Sequence, residues 1–74
     1  MNQSLKWYAA HVVTTSHGSW KMAAVALLGG EVIGLKQFQN EPPNVIWLGG
    51  TIELKPDEDG RMIAFHVDTG KWLQ

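Results

Sequence analysis

The chain has 74 residues, with six basic against seven acidic side chains, a formal charge of −1 and no cysteine. This length predicts a single domain over residues 1–74, and the near-neutral charge disfavours nucleic acid, whose partners gain affinity by neutralising phosphates. The absence of cysteine excludes disulfides and thiolate metal sites and favours a cytoplasmic location. Neither an export signal nor a membrane span is predicted, because the longest apolar run covers only residues 22–28.

The first predicted element is a strand over 5–14, where β-forming side chains precede a turn-like cluster. The next segment, 20–28, is ambiguous. Ser19 and Gly29 are suitable helix caps and its apolar residues recur at helical spacing, so an α+β fold with a helix at 20–28 is the alternative. Because its end resembles the β-branched and aromatic run 45–48, we expect a strand.

Two glycine pairs, Gly29-Gly30 and Gly49-Gly50, each separate two short apolar runs. Two-residue hairpin turns need positive φ, which glycine adopts without strain, so each pair predicts a hairpin. The expected cross-strand partners are Leu27 with Val32, Ala26 with Ile33, and Leu48 with Thr51. One additional residue near Gly34 in the first copy predicts a β-bulge.

The remaining chain predicts further strands separated by turns. Residues 40–44 form a proline-containing loop, 56–60 an acidic turn, 61–67 a strand, and a last short strand holds Trp72. The sequence therefore predicts an all-β fold, a meander of five or six short strands, forming a curled sheet or a small SH3-like barrel. The expected core face of the second hairpin consists of Val45, Trp47, Ile52 and Leu54.

No catalytic, metal or cofactor motif is present. The three histidines, His11, His17 and His66, lack the spacing of a helical zinc pair, and only a fold that brings His11 next to His66 would pair them. Neither glycine pair leads into a phosphate-binding helix, and no nucleophile elbow occurs. We expect neither an enzyme nor a bound cofactor.

Tryptophan is the unusual component of the composition, with four residues in the chain. Each is first expected to supply core volume that a small domain otherwise lacks. The loop before Trp47 is the main candidate for a binding surface, because consecutive prolines make it rigid before a partner arrives. The candidate binding residues are Glu41, Pro42, Pro43, Trp47, Trp20 and Trp72.

The function expected from these features is contact with another protein, as an adaptor or inhibitor that occupies a partner's surface through an aromatic anchor. A homo-oligomer that binds a small ligand or nucleotide is the alternative, and a barrel that binds single-stranded nucleic acid is a weaker one. Apolar side chains on both faces of the predicted hairpins favour a homo-oligomer, most simply a two-fold dimer.

Overall fold

The computed structural model describes residues 5–40 and 44–74, and its strands form one curled mixed sheet. The predicted all-β class is confirmed, and the helix at 20–28 is wrong, because this segment lies in a strand and the described residues contain no helix. Within those residues there is accordingly no helix that could cross a bilayer. The strands are β1 (Leu5–Thr15), β2 (Gly18–Leu28), β3 (Glu31–Gln37), β4 (Ile46–Trp47), β5 (Thr51–Pro56), β6 (Met62–His66) and β7 (Lys71–Trp72).

The sheet consists of two antiparallel meanders joined by a parallel pairing. Its order is β3-β2-β1-β5-β6-β7, and β4 also pairs with β1. Both β4 and β5 run parallel to β1, whereas the other neighbours are antiparallel. The single meander predicted from the sequence is therefore corrected to two, because β1 has strands from both halves of the chain as neighbours.

The first glycine pair forms the predicted hairpin turn. Gly29 and Gly30 have φ values of 59° and 85°, and the turn places Leu27 opposite Val32 as expected. The register then shifts, so that Ala26 lies opposite Gly34 rather than Ile33. The predicted bulge is confirmed, and the additional residue is the reason that the Ala26–Ile33 pairing is wrong.

The second glycine pair does not form a hairpin. Trp47 lies opposite Ala9 and Thr51 opposite Val12, so the segments before and after Gly49-Gly50 follow the same edge of β1. The predicted Leu48–Thr51 pairing is wrong, because both flanking strands bond to β1 instead of to each other. Three residues, 48–50, here lie opposite two on β1, and we call Gly49-Gly50 the glycine bulge.

The hydrophobic core is built mainly from aliphatic and small side chains. Its largest fully buried side chains are Leu27, Ile52, Val13 and Val25. Buried alanines on the central strands complete it, and Trp20 packs against it from a partly buried position. Ile52 and Leu54 are buried as expected, but Trp47 is 40% exposed, because its strand stays at one edge of β1. Trp72 is 50% exposed, so two tryptophans are not core residues.

The second glycine of each Gly-Gly pair, Gly30 or Gly50, offers a matched pair of substitutions that tests the glycine bulge. Gly30 and Gly50 both have positive φ, of 85° and 62°. A Cβ on Gly30 would meet nothing within 4 Å, whereas a Cβ on Gly50 would overlap the Asp68 carboxylate. We expect Gly30→Ala to lower the free energy of unfolding by about 1 kcal/mol through backbone strain, and Gly50→Ala by about 3 kcal/mol, measured by urea denaturation.

The control is a double-mutant cycle with Asp68→Ala. Once the carboxylate is removed, Gly50→Ala should cost no more than Gly30→Ala, because only the backbone strain is left. Equal costs for the two glycine substitutions in the native background would contradict the role given to Asp68.

Candidate functional site

Two histidines that are far apart in the sequence both bond to the glycine bulge. The Gly50 N–H donates to Nδ1 of His11 at 3.0 Å. Nε2 of His66 lies 2.9 Å from the Gly49 carbonyl oxygen, which assigns the proton to Nε2 because a carbonyl only accepts. The fold therefore brings His11 and His66 to one structural feature, through its two glycines.

The turn between β6 and β7 supplies the rest of this network. The Asp68 carboxylate accepts the Thr51 N–H at 2.8 Å, and the Thr69 hydroxyl lies within hydrogen-bond distance of Nδ1 of His66, at 2.8 Å. Asp68 Oδ2 is 3.7 Å from His66 Nε2, beyond hydrogen-bond distance. His66 is 3% exposed and uses both ring nitrogens, so it has no free nitrogen for a substrate or a metal.

This network holds the backbone and does not form a metal centre. Among the residues that the structure describes, no three His, Cys, Asp or Glu side chains are grouped so that they could hold an ion. The carboxylate and imidazole groups instead bond to main-chain groups at the junction of the two meanders. We interpret the network as a clamp on the glycine bulge.

The candidate binding residues lie in different places. Trp20 is partly buried against the core, and Trp47 is an exposed neighbour of His11, with ring centroids 4.9 Å apart and an interplanar angle of 82°. Trp72 lies on the last strand, in the other meander. The three tryptophans therefore lie on three different strands, β2, β4 and β7. Glu41, Pro42 and Pro43 lie outside the described residues.

Trp72 has the most organised surroundings of the exposed tryptophans. It lies opposite Phe65 on β6, with ring centroids 4.8 Å apart at 60°. Lys55 Nζ lies 5.3 Å from the Trp72 ring centroid and 5.8 Å from that of Phe65, within cation–π range, and 3.3 Å from a Glu53 oxygen. We call Glu53, Lys55, Phe65 and Trp72 the aromatic strip.

A cleft of about 690 Å³ lies beside the aromatic strip. Trp72 belongs to both, because the cleft is lined by Lys6, the Gly29-Gly30 turn, Ile63 and residues 72–74. The Tyr8 hydroxyl donates to the Gln74 carbonyl at 2.8 Å and holds this last segment near β1. The cleft thus presents an indole, aliphatic side chains and one ammonium group.

Sequence reasoning named Trp72 but missed the residues that surround it. Phe65 carries a signal in the sequence, since a last hairpin drawn around the Asp68–Gly70 turn places Phe65 near Trp72. Lys6 carries no such signal, because the curl of the sheet brings it to the cleft from the first strand.

The clamp generates a prediction for Thr69, whose hydroxyl bonds to a buried ring nitrogen. Thr69→Val keeps the side-chain shape but leaves Nδ1 of His66 without its partner, so we expect a loss of about 1 to 3 kcal/mol in the free energy of unfolding. Thr14→Val on β1 is the control, with an expected change below about 0.5 kcal/mol, because the Thr14 hydroxyl makes no hydrogen bond within the described residues. Equal stability of Thr69→Val and the unmodified chain would contradict the clamp.

Comparisons of the chain with protein-family models, with curated proteins and with solved structures gave no match.

Proposed function

We propose that the chain is a non-catalytic protein-interaction domain, of the adaptor or inhibitor type, and that Trp72 anchors the partner. The supporting observation is the position of Trp72, which is half exposed, packed against Phe65 and in reach of Lys55, and part of the cleft wall. Tryptophan is among the residues most enriched at the energetic centres of protein interfaces.

The neighbours of Trp72 reduce the cost of using it as an anchor. Ordering a side chain at an interface costs about 0.5 to 1.5 kcal/mol, and this cost falls when the side chain is already held in place. Phe65 fixes one side of the indole by an edge contact, while Lys55 lies over the ring. Glu53 and Lys55 also place charged groups around an apolar centre, which is how the rim of an interface is composed.

Trp47 is the matched comparison for Trp72. It has similar exposure, at 40% against 50%, but does not line the cleft, and its described aromatic neighbour is His11. The two residues therefore separate a general effect of losing an exposed indole from an effect specific to the aromatic strip and the cleft.

The proposal is tested by capture of the partner on immobilised chain, identification by mass spectrometry, and titration of the purified partner. We expect Trp72→Ala to weaken binding at least about 30-fold, since an energetic centre contributes 2 kcal/mol or more. Trp47→Ala should change affinity less than about fivefold. Circular dichroism of both variants checks that the sheet is intact.

Equal affinity of the Trp72→Ala variant and the unmodified chain for the identified partner would contradict the proposal.

A second candidate function is the binding of a small anionic ligand that stacks on Trp72. Native mass spectrometry of the purified chain tests for such a ligand. The observation that favours this candidate is that Lys6 and Trp72 line one cleft, whose volume of about 690 Å³ is typical of ligand sites.

We further propose a two-fold dimer and a cytoplasmic location. Because the curl of the sheet buries its core face, the apolar side chains on that face need no partner subunit. The support for a dimer therefore comes from apolar side chains that are still exposed. Ile46 is 47% exposed and lies on β4, whose hydrogen-bonded neighbour in the described sheet is β1 alone. The location is supported by the absence of cysteine.

If β4 forms the dimer contact, sedimentation equilibrium should detect self-association with a dissociation constant on the order of 10 µM. Ile46→Asp should abolish it, because two buried carboxylates would face each other across the two-fold axis. Met62→Asp, at a side chain that is 37% exposed on β6, is the control and should leave the dimer unchanged. A monomeric chain at concentrations tenfold above this value would contradict the proposed dimer.

A further inference from the structure

The curled sheet has two free ends that are close to each other. Strands β3 and β7 are the terminal strands, so each has a single hydrogen-bonded neighbour. The curl brings β3 within 8 Å of β6 between Cα atoms, but no Cα of β7 lies within that distance of β3. The sheet is thus an incomplete barrel, and we call the gap between β3 and β7 the seam.

The cleft lies next to the seam, because its lining includes both the Gly29-Gly30 turn that precedes β3 and residues 72–74, which contain the end of β7. Lys6 and Ile63 complete the lining. Neighbouring strands in a sheet are about 4.8 Å apart, so one additional strand needs about 9.6 Å between the strands on either side. No Cα of β7 lies within 8 Å of β3, whereas β3 does approach β6 within that distance, so the place for an added strand is along the edge of β7 itself.

The free edge of β7 presents main-chain groups at Trp72 itself. The Leu73 N–H donates to the Ala64 carbonyl at 2.9 Å, so Leu73 faces β6. Main-chain groups alternate in direction along an antiparallel strand, and the N–H and C=O of Trp72 therefore point away from β6, to the seam. One residue thus offers both an indole and a main-chain donor and acceptor.

The charge of the cleft identifies the chemistry of its occupant. Lys6 is the charged side chain among the residues that line it, while Ile63, Trp72 and Leu73 are apolar. Lys55 beside Trp72 already has Glu53 as an ion partner at 3.3 Å. No ion partner of Lys6 lies within 4.0 Å among the residues that the structure describes, so Lys6 supplies the positive charge of the cleft.

From the seam, its free edge and its charge, we infer that the partner binds as an extended peptide segment that adds to β7 as a further strand. The segment carries a carboxylate that pairs with Lys6 and an apolar side chain that packs against Trp72. This inference rests on the proposed function and specifies the mode of binding and the class of partner segment.

The test uses synthetic octapeptides of alternating Thr and Val, flanked by Ser-Gly for solubility, in which one residue at a time is replaced by Glu or, in the matched series, by Lys. Binding to the full chain is followed by nuclear magnetic resonance. We expect one or more Glu peptides to bind with at least tenfold higher affinity than their Lys counterparts. Hydrogen exchange of the Trp72 main-chain N–H should slow at least tenfold on binding.

Two variants separate the side-chain and main-chain contributions. Lys6→Glu should make the chain bind the Lys peptides more tightly than the Glu peptides. Lys6 is exposed, so we expect the variant to fold, and comparing its spectrum with that of the unmodified chain checks this. A peptide with an N-methyl group at the residue opposite Trp72 keeps every side chain but loses one main-chain donor, and it should bind at least tenfold more weakly.

Three outcomes would overturn the inference. These are no binding by any peptide of either series at millimolar concentration, binding without slower exchange at Trp72, and exchange at Trp72 that slows with protein concentration when no peptide is present. The last would assign the seam to a second copy of the chain. If the peptide test fails but partner capture still depends on Trp72, the proposed function stands and only the inferred mode of binding is wrong. The failure of the inference is therefore distinguishable from the failure of the proposed function.

Discussion

The parallel pairing of β1 with β4 and β5 is the constraint on which the rest of the fold depends. Within each meander the strand pairings are local and antiparallel, and this parallel pairing alone joins the two sets of hydrogen-bonded strands into one sheet. It requires the chain to accommodate an additional residue at Gly49-Gly50, where both φ values are positive. Of the hydrogen bonds to this segment, that of His11 joins the two halves of the molecule, while those of His66 and Asp68 hold the segment to the second meander.

The local architecture was predictable because it depends on neighbouring residues. Gly29-Gly30 connects strands that are consecutive in the chain, and turn chemistry alone indicates its hairpin. The bulge at Ile33 was also visible, as an insertion in one copy of the repeat. The choice of a strand over a helix at 20–28 rested on the likeness between the two copies.

Gly49-Gly50 shows where this reasoning fails. Its composition is that of the first pair, but the preceding segment has β1 as its neighbour, which lies more than thirty residues earlier in the chain. Two αL glycines suit a bulge as well as a turn, so composition does not distinguish them. The same reason hid the roles of His11, His66 and Lys6, each of which depends on residues distant in sequence.

An incomplete barrel carries a hazard that a closed one avoids, because each free end of the sheet is a template for edge-to-edge aggregation. This chain, with 45% hydrophobic residues, has short or irregular ends. On β3 the bulged Ile33 interrupts the regular row of main-chain groups and Lys36 adds a charge, while β7 is only two residues long. Because they are short or interrupted, such ends give poor support to a growing stack of strands, which lowers the tendency of the sheet to aggregate edge to edge.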